Sequence, residues 1–255
     1  AENVHGNDLF REFSGVAADP SPGQFDPTIV RHRPVYVHSH MVSLSQGSQG
    51  DALPADLVNL NLFPDVSFTA VFDRLETNPS GSQSWIGHIP DQPMSQVILV
   101  SQDGLVAGNI SMAGAFYQVR YDGAGVHSIR EIDQSKFPDN DDVAIPENIE
   151  ESQPDTESMK DDGSTVDVMV VYTPAASKAV GGTNAMNTLI DLAITETNAS
   201  YQNSGVKHRL RLVHKTEVTY TEQGFSTALN HLTSKTDGNM DNVHTLRDQY
   251  GADEV

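Results

Sequence analysis

The stretch Asp167-Val168-Met169-Val170-Val171-Tyr172-Thr173, followed by Pro174, divides this chain into two different kinds of sequence. A near-continuous apolar run of this length, rich in β-branched residues and stopped by proline, predicts a buried strand. After the run, the pattern predicts long and short helices that alternate with strands. Before it lie an acidic segment and a region of many short strands. The run therefore marks the start of a second domain.

The residues after this strand predict an α/β layer. We expect a helix over residues 184–203, a half-exposed strand over 208–220 near a sheet edge, and short helices over 226–232 and 241–250. Residues 252–255 predict a turn into a third strand. The long helix should bury one face, because its apolar residues recur at helical spacing: Met186, Ile190, Ala193, Ile194 and Tyr201. The order is β-α-β-α-(β), an incomplete layer.

The first half of the chain predicts an antiparallel sheet or a sandwich, with Trp85 in its core. Residues 1–34 are polar and rich in turn residues, which predicts an extended arm with one short helix over residues 9–13. The candidate strands that follow are residues 35–44, 57–63, 66–75, 84–89, 97–101, 105–111, 116–121 and 126–132. The predicted fold class is therefore α+β overall, a β-rich domain followed by a truncated α/β subdomain.

An acidic segment separates the two halves. Between Phe137 and Asp162 the sequence has ten acidic residues and one basic residue, Lys160, with prolines at 138, 146 and 154. Such a composition buries too little apolar surface to fold alone, which predicts an exposed linker open to proteolysis. The predicted domains are residues 1–136, a linker over 137–163, and residues 164–255.

Composition excludes several functions. The formal net charge of −20 disfavours binding to nucleic acid or to an anionic membrane, which are themselves polyanions. The absence of cysteine excludes disulfides, thiolate zinc sites and cysteine nucleophiles within these residues. The sequence has no apolar run long enough to span a membrane. It opens at Ala1 without an initiator methionine, which fits a secreted protein after removal of its signal peptide.

No complete catalytic motif occurs in the sequence. It has no Gly-x-Gly-x-x-Gly, no P-loop lysine motif, no Gly-x-Ser-x-Gly elbow and no His-Glu-x-x-His helix. The pair His38 and His40 could present two imidazoles on one face of a strand, although most such pairs are surface residues. The other histidines are scattered along the chain.

From Val166 onward the chain resembles the secreted bacterial reprolysin-like zinc metalloproteases of the metzincin clan. The resemblance starts with Val166-Asp167-Val168-Met169-Val170-Val171-Tyr172-Thr173-Pro174. It continues through residues 196–206 on the helix (Glu-Thr-Asn-Ala-Ser-Tyr-Gln-Asn-Ser-Gly-Val) and residues 209–214 (Arg-Leu-Arg-Leu-Val-His). It ends with residues 237–248 (Asp-Gly-Asn-Met-Asp-Asn-Val-His-Thr-Leu-Arg-Asp) and 250–253 (Tyr-Gly-Ala-Asp). The β-rich region, with Ser84-Trp85-Ile86-Gly87, is similar to the propeptides of that group.

This resemblance implies the zymogen of a zinc-dependent endopeptidase that acts on protein or peptide substrates. A β-rich prodomain would cover its own catalytic domain until the linker is cut. In that family, three histidines of His-Glu-x-x-His-x-x-Gly-x-x-His hold zinc, and the glutamate is the general base. That motif is absent here and is expected beyond Val255, so these residues alone should be inactive. They would supply the upper subdomain and the edge strand for extended substrate.

The resemblance also implies a structural calcium site. The matching positions are Asp167, at the start of the strand, and Asp241, at the start of the last helix, since two carboxylates suit a hard cation. The alternative is a strand-end aspartate and a helix N-terminal aspartate favoured by the helix dipole. Latency cannot use a cysteine. It would come from a prodomain carboxylate or histidine, or from cover by the N-terminal arm.

Two other functions remain open from the sequence. The chain could be a non-enzymatic secreted binding module, in which the β-rich domain recognises a partner and the α/β part is a scaffold. It could also be a prodomain-type protease inhibitor that acts independently. A zinc motif in the gene beyond Val255 would favour the enzyme, and a natural stop codon would favour the other two.

Overall fold

A computed structural model describes residues 8–15, 26–38, 57–137 and 165–255. The predicted linker over 137–163 and His40 of the histidine pair lie outside these residues, apart from Phe137. No helix within these ranges has the length and apolar character needed to cross a membrane.

The first half of the chain forms one nine-stranded sheet in which every neighbouring pair is antiparallel. Its spatial order is β1-β2-β9-β8-β7-β6-β5-β4-β3. The strands are β1 Phe10–Glu12, β2 Ile29–Val37, β3 Leu57–Phe63, β4 Val66–Thr77, β5 Gln83–His88, β6 Gln96–Gln102, β7 Leu105–Met112, β8 Ala115–Gly123 and β9 Val126–Ile132. A 3₁₀ turn, Gln134–Lys136, follows β9. The antiparallel sheet predicted from the regular strand spacing is confirmed.

The two end strands of this sheet meet. The Leu9 backbone N–H donates to the Asn59 carbonyl at 2.9 Å, and Asp8 and Asn59 form a parallel bridge. The Asn61 side chain continues the contact: its Oδ1 accepts from the Phe10 N–H at 3.0 Å, and its Nδ2 donates to the Phe10 carbonyl at 2.8 Å. An amide side chain thus replaces backbone hydrogen bonds where β1 and β3 meet, and the sheet closes on itself.

One face of the closed sheet forms a continuous apolar core. Trp85 is 1% exposed and belongs to this core, as the sequence predicts. Its members are Leu9, Phe10, Val35, Val37, Val58, Leu60, Leu62, Phe63, Ala70, Trp85, Ile89, Val97, Leu99, Val106, Ile110, Tyr117, Val119 and Ile129. Space here is limited, because a Cβ at Gly87 would lie 2.4 Å from the Trp85 ring and 2.2 Å from the Val71 carbonyl oxygen.

The N-terminal arm differs from its prediction. Residues 10–12 form a strand instead of a short helix, and β2 begins at Ile29, inside the predicted extended arm. The reason is tertiary pairing: β1 and β2 bond to each other, and β2 also bonds to β9. Strand pairing within the sheet overrides local propensity, which is a weak signal for so short a segment.

The second half contains two parallel strands, β10 Thr165–Tyr172 and β11 Arg209–Glu217. Its helices are α1 Pro174–Ala179, α2 Thr183–Asn203, α3 Phe225–Thr233 and α4 Asn242–Tyr250. The predicted turn into a third strand is confirmed, because Val168 forms a parallel bridge with Glu254 and the Met169 N–H donates to the Glu254 carbonyl at 2.9 Å. Strand β10 therefore has a partner on both sides.

Burial in this half differs in two ways from the sequence pattern. In β10 only Met169 and Tyr172 are buried, so the predicted buried strand is mostly half-buried within the described residues. In α2, Met186 and Ile190 are buried as predicted, whereas Ala193 is exposed. The polar residues Thr188, Asp191 and Thr195 are buried as well. Helix α2 therefore buries more than the single apolar face that its spacing predicts.

The contacts of the chain divide it into two compact units. The first comprises the described residues within Ala1–Pro138 together with Val180–Leu192. The second comprises those within Asp139–Ala179 together with Ala193–Val255. The first half of α2 is thus grouped with the nine-stranded sheet. The domain boundaries predicted from the sequence stay a prediction.

Candidate functional site

Asp167 stands at the third position of β10, opposite Arg211 in the parallel ladder with β11. Arg211 donates to both carboxylate oxygens, from Nε to Oδ1 at 2.6 Å and from Nη2 to Oδ2 at 2.5 Å. Hydrogen bonding to Asp167 is the main reason that the pKa of Arg211 is raised. The Asp167 side chain is 17% exposed and the Arg211 side chain 62% exposed. Both oxygens that a calcium ion would use therefore face a guanidinium group.

The backbone of Asp167 also binds the end of the described chain. Its N–H donates to Asp253 Oδ2 at 2.8 Å, and its carbonyl accepts from the Asp253 N–H at 2.7 Å. Asp253 is thereby held beside Asp167 at the point where the third strand begins. The Asp253 carboxylate thus accepts a backbone hydrogen bond near the N-terminal end of β10.

Asp241 lies at the start of α4, at the end of a tight loop that begins at Asp237. Its Oδ2 accepts from the Gly238 N–H at 3.1 Å, while its Oδ1 is buried with no hydrogen-bond partner in the described part of the chain. Asp237 Oδ1 accepts from the Asn239 N–H at 2.8 Å, and this bond is the main reason that the pKa of Asp237 is lowered. These bonds stabilise the entry into the helix.

Among the described residues, Asp167 and Asp241 do not belong to a cluster of metal-ligating side chains. Across residues 8–15, 26–38, 57–137 and 165–255, no group of three or more His, Asp or Glu side chains is placed to hold an ion. The calcium site at Asp167 and Asp241 therefore stays a prediction from the resemblance. The geometry instead gives Asp167 a role in joining β10 to β11.

The residues present also do not fit the zinc that reprolysin-like proteases use. None of the ten histidines in the sequence is followed by glutamate, so the His-Glu-x-x-His ligand set is not available here. Three of the four described histidines of the second half have local partners. His214 stacks on Tyr250 with ring centroids 3.7 Å apart, His231 Nδ1 is 3.0 Å from the Tyr220 hydroxyl, and His244 Nε2 is 2.9 Å from the Ser234 carbonyl.

His127 is the most deeply buried histidine among the described residues of the sheet. It is 1% exposed, and its Nε2 accepts from the Val106 N–H at 3.0 Å. Burial lowers its pKa to about 4. The ring is therefore neutral near pH 7 and serves the packing between β7 and β9.

A polar cluster that the sequence analysis did not single out surrounds Asp191 on α2. Asp191 is 1% exposed, and its Oδ2 accepts from the hydroxyls of Ser80 at 2.6 Å and Ser82 at 2.8 Å. Both serines lie in the turn between β4 and β5. The available sequence signal was an aspartate flanked by Ile190 and Leu192 on a helix, since a charged residue among apolar ones requires polar partners.

Comparison with known protein families gives a match in the second half of the chain. Residues 163–255 match the family model described as metallo-peptidase family M12B, reprolysin-like. The resemblance of these residues to the reprolysin-like metallopeptidases is therefore confirmed, whereas secretion and the similarity of the β-rich region to a propeptide stay predictions.

Two of the curated relatives match more of the chain than this segment. A peptidyl-Asp metalloendopeptidase of Stenotrophomonas maltophilia is 32% identical over 205 residues, which cover 72% of this chain and 48% of the relative. A protein of the same name from Xanthomonas campestris is 30% identical, covering 80% of this chain and 53% of the relative. One from Pseudomonas aeruginosa is 41% identical over 91 residues, covering 36% of this chain and 14% of the relative. The chain spans about half the length of the first relatives it matches.

Proposed function

We propose that this chain is the N-terminal portion of a secreted zinc-dependent endopeptidase that is made as a zymogen. The nine-stranded sheet is its prodomain, and residues 164–255 open its catalytic domain. The residues that hold zinc lie in a part of the protein outside these 255 residues. A zinc ion held there would supply the Lewis-acid chemistry of peptide hydrolysis.

The observation that carries this proposal is the extent of the match to the relatives. The family model covers only residues 163–255, whereas the Stenotrophomonas protein covers 72% of the chain. The match must therefore include residues that precede the family segment. The β-rich half and the metallopeptidase segment thus have counterparts in one relative, which supports a prodomain joined to its protease more than an independent binding module or inhibitor.

The relatives' name also supports a substrate class. All the relatives named above are peptidyl-Asp metalloendopeptidases. We extend this to the present protein and propose that it cleaves peptides at aspartate. A carboxylate substrate side chain needs a cationic or hydrogen-bond-donating pocket. That pocket is expected in the same part of the protein as the zinc ligands.

The test is made on the whole gene product. The reading frame beyond Val255 is sequenced, the full-length protein is expressed with its signal peptide, and the culture medium is assayed after the linker has been cut. We expect chelator-sensitive cleavage of an Asp-containing peptide and much slower cleavage of the same peptide with Asn. A stop codon at Val255, or hydrolysis that a chelator does not affect, would exclude the zinc endopeptidase. Equal rates on the two peptides would exclude only the preference for aspartate.

A further inference from the structure

The first half of helix α2 belongs to the same compact unit as the nine-stranded sheet, although it is separated from the sheet in sequence by residues 138–179. Two contacts fix the segment Val180–Leu192 at its two ends. One joins Asp191 to the turn between β4 and β5, and the other brings Gly181 close to Tyr121 of β8. These contacts define a docking surface on the sheet.

The contact at Asp191 is a buried, charge-assisted hydrogen-bond cluster. Two serine hydroxyls donate to one carboxylate oxygen, at 2.6 Å from Ser80 and 2.8 Å from Ser82. The turn that carries them is itself braced. Asn78 Nδ2 donates to Ser82 Oγ at 2.8 Å, and Gln102 Nε2 of β6 donates to the Ser80 carbonyl at 3.1 Å. The serines are therefore held in position for the carboxylate.

The contact at the other end is steric. Gly181 has a φ of +96°, and a Cβ built on it would lie 3.1 Å from Tyr121 Cδ1 and 3.2 Å from the Tyr121 carbonyl oxygen. Only glycine meets both requirements at low cost, since it tolerates positive φ and lets two backbones approach closely. The chain thus passes directly over the end of β8 before the helix begins.

The spacing of the two contacts fits a helix that crosses the strands. Strand β8 is separated from β5 by β7 and β6, which makes three inter-strand spacings or roughly 14 Å. From Thr183 to Asp191 an α-helix rises roughly 12 Å, and the residues before it add the remainder. The segment can therefore reach from Tyr121 to the β4–β5 turn without strain.

On the sheet face opposite the Trp85 core, the strands that helix α2 would cross carry buried residues. Side chains alternate between the two faces of a strand, so the neighbours of core residues in β5, β6 and β7 point to the other face. There the buried apolar residues are Ile86 at 2%, Ile98 at 0%, Val100 at 0% and Ala107 at 5% exposure. On α2, Ala185, Met186 and Ile190 are buried within the segment that shares the unit.

We propose that this face of the sheet is a binding surface for helix α2, and that it holds the two parts of the protein together after the linker over 137–163 is cut. The Ser80–Ser82–Asp191 cluster sets the register of the helix. The apolar residues of β5 to β7 supply most of the affinity. Cutting the linker therefore nicks the protein without separating it, and release requires breaking this contact. This proposal rests on the proposed function in one respect only, namely that the linker is the site of cleavage.

The experiment uses the 255-residue chain with a site-specific protease sequence placed within residues 139–162. The folded chain is cut, and the two fragments are followed by size-exclusion chromatography over a dilution series. We expect the fragments to elute together at micromolar concentration. The Ser80→Ala variant should weaken the association about 10- to 100-fold, the range for one hydrogen bond to a charged group.

The matched control is Ser67→Ala. The Ser67 hydroxyl donates to Asn59 Oδ1 at 3.0 Å within the sheet, away from the β4–β5 turn, so its loss should leave the association unchanged. Asp191→Ala and the double variant complete a double-mutant cycle, which should show that the effects of the two changes are not additive. Immediate separation of the unmodified fragments, or equal effects of the two serine variants, would overturn the proposal.

A second measurement uses the uncut chain, for variants that unfold or aggregate when the linker is cut. In the uncut Ser80→Ala chain, amide hydrogen exchange over residues 183–192 should be faster than in the parent chain and unchanged in Ser67→Ala. Identical exchange in all three chains would count against the docking contact. None of these readouts needs zinc or peptide hydrolysis. Absence of protease activity with intact association would therefore refute only the proposed function.

Discussion

Asp167 and Arg211 face each other across the parallel β10–β11 ladder and form a two-point ion pair, at 2.6 Å and 2.5 Å. The pair is exposed mainly on the arginine side. It occupies the carboxylate oxygens that the calcium prediction assigned to a cation. The roles of cross-strand partner and calcium ligand can therefore be separated by experiment.

The first prediction concerns this pair. Arg211→Gln should lower the melting temperature slightly at low ionic strength, and the difference from the parent chain should vanish in high salt, because exposed ion pairs are weak and screened. Arg209→Gln is the matched control, since Arg209 donates to the carbonyls of Val206 and His208 instead of a carboxylate. A salt-independent effect of Arg211→Gln would contradict the ion pair as the role of Arg211.

Titration with calcium on the same samples tests the other role of Asp167. If Asp167 is a calcium ligand, the protein should bind calcium more tightly once Arg211 is removed.

The second prediction concerns the closure of the nine-stranded sheet. Asn61→Ala removes two hydrogen bonds to the Phe10 backbone, so the free energy of unfolding should fall by about 1–3 kcal/mol. Amides of β1 should exchange faster while those of β6 stay protected. Gln83→Ala is the control, because the Gln83 amide donates only locally, to Thr77 Oγ1 at 3.0 Å. Unchanged exchange in β1 would mean that the strand is held by its pairing with β2 alone.

The third prediction concerns the space around Trp85. In Gly87→Ala the new methyl group would lie 2.2 Å from a backbone oxygen and 2.4 Å from the indole ring, contacts that the rigid neighbours cannot easily relieve. The free energy of unfolding should fall by about 1–3 kcal/mol, the usual cost of overpacking a core. Gly224→Ala is the control, since nothing lies within 4 Å of a Cβ there. Equal melting temperatures for Gly87→Ala and the parent chain would show that β4 and β5 can move apart.

The sequence predicted the elements with strong periodicity and missed those set by distant partners. The strands around Leu60 and Val119 were clear because their apolar residues alternate, and α2 was clear because its apolar residues recur at helical spacing. The strand at Phe10 was not, since its hydrogen bonds come from β2 and from the Asn61 side chain. Sequence patterns report local periodicity, and they do not show which residue about fifty positions away will be the hydrogen-bond partner.

The same reasoning explains the candidate sites. Asp167 and Asp241 were recognisable because they lie in stretches that resemble a known family. The partner of Asp167, Arg211, lies on the next strand, and nothing in the local sequence indicates the register that pairs them. The contact of Asp191 with Ser80 and Ser82 spans more than one hundred residues. A buried aspartate signals that partners exist, but only the fold identifies them.

The last prediction concerns pH and His127. Burial lowers the pKa of this histidine from 6.5 to about 4, so the folded state resists protonation that the unfolded chain accepts. The resulting stability is fully present above pH 6.5, and it is lost as the pH falls from 6.5 towards 4, with a total of roughly 3 kcal/mol at a slope of about 1.4 kcal/mol per pH unit. His127→Gln cannot titrate, and a suitably oriented side-chain carbonyl could still accept from the Val106 N–H. Its stability, measured by urea unfolding between pH 7 and pH 4, should therefore depend less on pH than that of the parent chain.

His32→Gln, at an exposed position of β2, serves as the control, and its stability should vary with pH as that of the parent chain does. If the stability of His127→Gln varies in the same way, protonation of other groups, and not of His127, causes the loss of stability in acid.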